Sequence, residues 1–251
     1  MSSAPAHAPP APLLPGRRLL ATLGVWLLAS AAAGGGTVLA LRLAHPGTAG
    51  DPAALAPIIV AEVYALLLAS LAVGLRPHFR EIVALRGCTA RDVALAALAC
   101  AAAYAITGPL QAAVAPRSWG TALAILRAIG SDDGRLASAG PAMAGLVVVR
   151  ACILAPLGEE LLFRGALFGW LRQRVSARTT IGVTAAGFAA IHTYPPVLPL
   201  AFAIGVGLGW VRERSGSTLP TVVVHVLHNG ALIAVSYALT GWSARLPPWG
   251  G

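Results

Sequence analysis

Seven apolar runs, most of them about as long as a bilayer is thick, limit what this chain can fold into. They fall at roughly 19–41, 53–75, 93–115, 141–163 (extending toward 171), 179–193, 197–211 and 218–240. A helix needs about 20 consecutive apolar residues to cross the hydrocarbon core, so the short fifth and sixth runs should tilt little or penetrate only partly. Pro195, Pro196 and Pro199 separate those two, because proline cannot continue a helix from the preceding turn. Composition agrees: 57% of residues are hydrophobic and 11% charged, against about 25% charged in an ordinary soluble domain. The expected fold is all-α, a polytopic transmembrane helical bundle of about seven spans. Arg17 and Arg18 ahead of the first run, with SAAAG inside it, resemble a signal peptide. That run is 23 residues long, beyond the roughly 7–15 of a cleaved signal core, and a retained helix is expected.

All 18 basic residues are arginine. With so much Ala, Leu, Val and Gly, this usage fits a GC-rich bacterial genome, and a bacterial inner membrane is the expected location. The formal net charge of +9 raises the question of nucleic acid. The arginines form no stripe, however, and most sit in short loops between apolar runs, so no nucleic-acid partner is expected. They set orientation instead. Eleven (Arg17, Arg18, Arg76, Arg80, Arg86, Arg91, Arg172, Arg174, Arg178, Arg212, Arg214) fall on one side, and five (Arg42, Arg117, Arg127, Arg135, Arg245) on the other. The rich side is cytoplasmic, which puts the N-terminus inside.

The chain divides into a disordered cytoplasmic tail (1–16), an N-terminal transmembrane region of three spans with a long outer loop (17–140), a core (141–240) and a short tail (241–251). Within the outer loop, WGTALAILRAIG has the pattern of a short amphipathic surface helix. Cys88, Cys100 and Cys152 are widely spaced and make neither a disulfide framework nor a zinc ribbon. GVGLG at 205–209 resembles half of a dinucleotide fingerprint, but no strand precedes it. Small residues that let helices pack closely account for it.

A charge at the centre of a membrane helix costs about 2.5–3.5 kcal/mol, so the few polar residues inside the runs are the functional candidates. In APLGEELLFRGALFG (155–169), Glu160 and Arg164 are i,i+4 and meet on one face. Arg164 can hold Glu160 ionised. Glu159 points about 100° away and has Phe163 at i+4, which leaves it without a partner on its own helix and free to take a proton. A structural ion pair would explain Glu160 and Arg164 but leaves Glu159 as cost alone. In GFAAIHTY, Phe188 and His192 are i,i+4; a lone membrane histidine also serves as an interhelical hydrogen bond. In VVVHVLHNG, His225, His228 and Asn229 share a face, where donors could stabilise an oxyanion or merely pack the helix.

Together these clusters supply what peptide hydrolysis needs. Glu159 with His192 can hold and deprotonate a water, His225 and Asn229 can donate to the carbonyl oxygen, and Glu160 with Arg164 can fix the helix. Glu62 and Arg150, the other charges in spans, are expected to pair with each other or to extend the polar site.

Glu-Glu-x-x-x-Arg, then Phe-x-x-x-His, then His-x-x-x-Asn, in this order on successive apolar segments, resembles the CPBP (CAAX protease and bacteriocin-processing, or Abi) family of intramembrane proteases, related to the type II CAAX prenyl endopeptidases. The resemblance covers about 141–240. It implies an endopeptidase that cleaves a peptide bond in or near the membrane with a glutamate-activated water, acting on a membrane-embedded or lipid-anchored protein within the lipid bilayer. Carried over, Glu159, Glu160 and Arg164 match the first motif, His192 the second, and His225 and Asn229 the third. His228 stands where many members have asparagine, and it could replace an oxyanion donor. Family members are often labelled metalloproteases, and Glu159, His192 and His225 could ligate zinc. Arg164 beside Glu160 competes with a cation, and HExxH is absent, so no cofactor is expected and zinc is the alternative. Transporter and non-catalytic scaffold readings also accommodate intramembrane Glu and His.

Overall fold

The structure is a computed structural model that describes residues 14–44, 52–114, 141–192 and 197–240. Most of the N-terminal tail, the amphipathic segment expected within 116–140, Pro195, Pro196 and the tail 241–251 lie outside the described residues. Among the described residues every regular element is helical. The order is α1 (Gly16–Ala44), α2 (Pro52–Gly74), a single turn α3 (Phe79–Ile82) and α4 (Ala90–Val114). A composite helix then runs through α5 (Pro141–Val149), π1 (Arg150–Leu154), α6 (Ala155–Glu160), π2 (Leu161–Leu167) and α7 (Phe168–Arg172). α8 (Ala177–Ala190), α9 (Leu198–Ser215) and α10 (Leu219–Thr240) complete the order.

Among the described residues, each of the seven apolar runs falls largely on a helix, and α3 is a turn that hydropathy did not indicate. Among the described residues, two helices are long and apolar enough to cross a membrane, Gly16–Ala40 and Ala90–Pro109, with shorter apolar stretches at Ile58–Gly74 and Leu219–Val235. α8 has 14 residues; at 1.5 Å per residue it rises only about 21 Å, short of a hydrocarbon core of about 30 Å. Many large apolar side chains are exposed, among them Leu20 and Leu28 of α1, Val73 of α2, Leu98 and Ile106 of α4 and Leu227 of α10. Exposed apolar area on this scale needs a nonaqueous neighbour.

Three buried clusters hold the helices together. Leu19 of α1, Leu67, Leu71 and Leu75 of α2, Val83 and Leu161 form the first. Ala96 and Cys100 of α4 with Leu200, Ile204 and Leu208 of α9 form the second. Phe163, Phe188, Ala189 and Ala201 form the third. The composite helix therefore has α1 and α2 on one side and α8 to α10 on the other. α9 packs against both α8 and α4, and the GVGLG glycines allow it. A Cβ on Gly205 would lie 2.9 Å from the Cα of Ala185 on α8, and one on Gly207 would lie 2.8 Å from the Cβ of Ala99 on α4.

Candidate active site

The two glutamates sit on one and a half turns of α-helix between two π segments. Pro156, in the first turn of α6, supplies a reason for the first of them. In an α-helix its ring would clash with the carbonyl four residues back, and it has no N–H to donate there; the wider π turn relieves both. Such π insertions recur at functional sites. Here each is tied to a neighbour through a carbonyl. In π1 the Ala151 carbonyl accepts from Asn229 Nδ2 at 2.9 Å. In π2 the Arg164 carbonyl accepts from Arg212 Nε at 2.9 Å and from Thr218 Oγ1 at 3.3 Å.

Glu160 and Arg164 are both wholly buried and joined at 3.0 Å. Arg164 also donates to the Gly205 carbonyl at 3.3 Å and lies 4.3 Å over the Phe188 ring. His225 of α10 reaches the same carboxylate, its Nδ1 2.9 Å from Glu160 Oε1. An ionised carboxylate only accepts, so Nδ1 carries the hydrogen and donates. The other ring nitrogen, Nε2, lies 3.8 Å from Glu159 Oε2. Along its own helix Glu159 has no partner, as the spacing implied; its contacts come from other helices. The hydroxyl of Tyr64, on α2, donates to Glu159 Oε1. The result is a continuous series, Tyr64, Glu159, His225, Glu160, Arg164, contributed by three packed elements of the bundle.

The remaining imidazoles are fixed by their acceptors. His192, just past the end of α8, has Nδ1 2.8 Å from the Phe188 carbonyl. A carbonyl only accepts, so Nδ1 donates and a neutral ring keeps its lone pair on Nε2. Asn229 spends one amide hydrogen on Ala151, which identifies its oxygen as the atom 3.2 Å from His228 Nδ1. His228 therefore donates from Nδ1, and its Nε2 accepts from the hydroxyl of Tyr104, on α4, at 2.7 Å. Both nitrogens of His228 are thus engaged, Nδ1 with Asn229 and Nε2 with Tyr104.

Glu159, His192, His225, His228 and Asn229 all line one cavity of about 400 Å³, together with Tyr64, Tyr104 and Arg150. Glu160 and Arg164 lie behind that lining. Glu62 and Arg150 were expected to pair or to extend the polar site. Glu62 Oε1 accepts from Thr37 of α1 at 2.6 Å, because that face of α2 packs on α1; Arg150 extends the polar lining of the cavity. A larger cavity of about 670 Å³, walled by Arg86, Phe168, Trp170 and Arg212, holds none of the motif residues. The zinc alternative requires Glu159, His192 and His225 to close on one ion. Among the described residues, no three His, Cys, Asp or Glu side chains are so grouped.

The spacing rules missed Tyr64 and Tyr104. The chain has four tyrosines, and these two sit in mid-helix in otherwise apolar sequence. A buried tyrosine hydroxyl usually finds a polar partner, and that was the available signal.

Residues 141–231 match the family model described as Rce1-like, type II CAAX prenyl endopeptidase, in agreement with the resemblance carried by the three motifs. The matched segment contains the six motif residues, whereas Tyr64 and Tyr104 precede it. A curated Escherichia coli protein described as "Uncharacterized 24.3 kDa protein" is 37% identical over 86 residues, 32% of this chain and 40% of that protein. The chain thus spans about two-fifths of the length of this curated relative. No solved structure matches.

Proposed function

Residues 141–231 carry the signature of the Rce1-like type II CAAX prenyl endopeptidases, and from that premise we propose that this chain is an intramembrane endopeptidase. It hydrolyses a peptide bond of a membrane-embedded or lipid-anchored protein with a water activated by Glu159. One observation carries the reading: of two adjacent carboxylates, Glu159 lines the cavity, while Glu160 is sealed behind it against Arg164 and His225. Two neighbouring carboxyl groups in such different surroundings divide the work of a base from that of a support.

The water gives a proton to Glu159 Oε2 as its oxygen attacks the carbonyl carbon. Negative charge develops on the carbonyl oxygen, and the amide hydrogen of Asn229 not used by Ala151 is the donor for it. His192 Nε2 is an acceptor that can hold the same water. Glu159 then returns its proton to the leaving amine, so that protons balance over the cycle. His225, committed to Glu160 through Nδ1, orients the base from behind. We take all seven apolar runs as spans of a bacterial inner-membrane protein with a cytoplasmic N-terminus, on the arginine asymmetry.

In this scheme no step runs through a metal. Purified protein is expected to keep cleaving a prenylated CAAX-type peptide after exhaustive zinc chelation; loss of cleavage, restored by added zinc, would reverse that expectation. Natural substrates are found by comparing membrane proteomes of cells with and without the chain. One or a few membrane proteins should remain at their larger, unprocessed mass in its absence, and identical proteomes would count against the protease reading.

A further inference from the structure

Tyr64 lies on α2, in a region without motifs and outside the matched segment, yet it contacts the proposed base directly. Its hydroxyl donates to Glu159 Oε1, and its ring lies against Gly158. A Cβ at position 158 would sit 2.9 Å from Tyr64 Cδ1, so the glycine immediately before the base lets the ring come close enough to bond. The two carboxylate oxygens are thereby made unequal. Oε1 is held from the α2 side, and Oε2 is left on the side of α10, 3.8 Å from His225 Nε2.

We infer that Tyr64 is a positioning residue for the base: its hydroxyl fixes the Glu159 carboxylate in one orientation and reserves Oε2 for the proton of the attacking water. The inference rests on the reading of Glu159 as base. It implies that the N-terminal helices complete the site, because the segment 141–231 alone lacks this hydroxyl. The competing account is a purely structural interhelical bond, of the kind that commonly packs membrane helices. A bond of that kind would leave catalysis untouched when removed.

The test uses the full chain in liposomes with a prenylated CAAX-type peptide, comparing wild type, Tyr64→Phe, Gly158→Ala and Glu159→Gln. Phenylalanine keeps the ring and removes only the hydroxyl. A hydrogen bond to a charged group lost beside the reacting atoms, and the misorientation that follows, should lower kcat about 10- to 100-fold, with KM within about twofold and the melting temperature little changed. Gly158→Ala keeps the hydroxyl but displaces the ring, and it should lower kcat in the same manner. Wild-type kcat in Tyr64→Phe, with Glu159→Gln inactive, would overturn the role of Tyr64 and leave that of Glu159 standing. A rise in KM together with a lowered melting temperature and unchanged kcat would mark a structural bond and also overturn it. Cleavage by Glu159→Gln at the wild-type rate would instead refute the assignment of the base.

Discussion

Replacing Glu159 by glutamine is expected to lower peptide cleavage by about 10²- to 10⁴-fold, the range associated with loss of a general base, while leaving the fold intact. The substitution is conservative in shape. The amide oxygen can still accept from Tyr64, and the chain behind it, Glu160 with Arg164 and His225, is untouched. The side chain loses only its capacity to take a proton. Removing a carboxylate from a cavity with few charges should, if anything, ease insertion, so the melting temperature in detergent should equal or exceed that of wild type. This pattern separates the protease from its rivals. A scaffold that works by binding a partner keeps its function in Glu159→Gln. A proton-coupled transporter loses transport but never had peptide cleavage to lose. Retained cleavage in a folded variant would end the glutamate mechanism.

What could be read in the sequence was whatever depends on spacing within one helix. Glu160 and Arg164 pair because i and i+4 share a face, and His225, His228 and Asn229 line the same cavity for the same reason. Contacts between helices were not legible. Glu62 lies in an apolar run like Arg150, and nothing local tells that its face of α2 meets Thr37 on α1 while Arg150 lines the cavity. Tyr64 carries a hydroxyl that hydropathy counts as one more aromatic in an apolar run. The role of His228 depends on the partners its two nitrogens meet, an acceptor on its own helix and a donor on α4. The two π segments leave no periodic trace; Pro156 hints at the first, and the second is visible only through the neighbours that take up the Arg164 carbonyl.

The most damaging single change predicted for the fold is Arg164→Met. Methionine keeps the unbranched apolar stem of arginine and removes the guanidinium that meets Glu160 and Phe188, so the expected loss is chiefly electrostatic. Glu160 has no exposure to solvent, and only His225 and the Thr221 hydroxyl would be left beside its charge. Breaking a buried pair from one side costs about 3–5 kcal/mol, because a desolvated charge is left uncompensated. The carbonyl of Gly205 would lose its donor as well. Against a total stability of roughly 5–15 kcal/mol, this should appear as a steep fall in folded, monodisperse protein recovered in detergent. The double variant Glu160→Leu, Arg164→Met distinguishes this cause from loss of packing. Replacing a whole buried pair by apolar side chains is often neutral or stabilising, so the double variant should recover most of the folded yield that the single one loses. Its cleavage should stay low, because His225 Nδ1 no longer has the acceptor that turns Nε2 toward Glu159. An Arg164→Met protein as stable as wild type would mean that the buried pair does not hold this part of the bundle. A double variant no better folded than the single one would assign the loss to shape rather than charge.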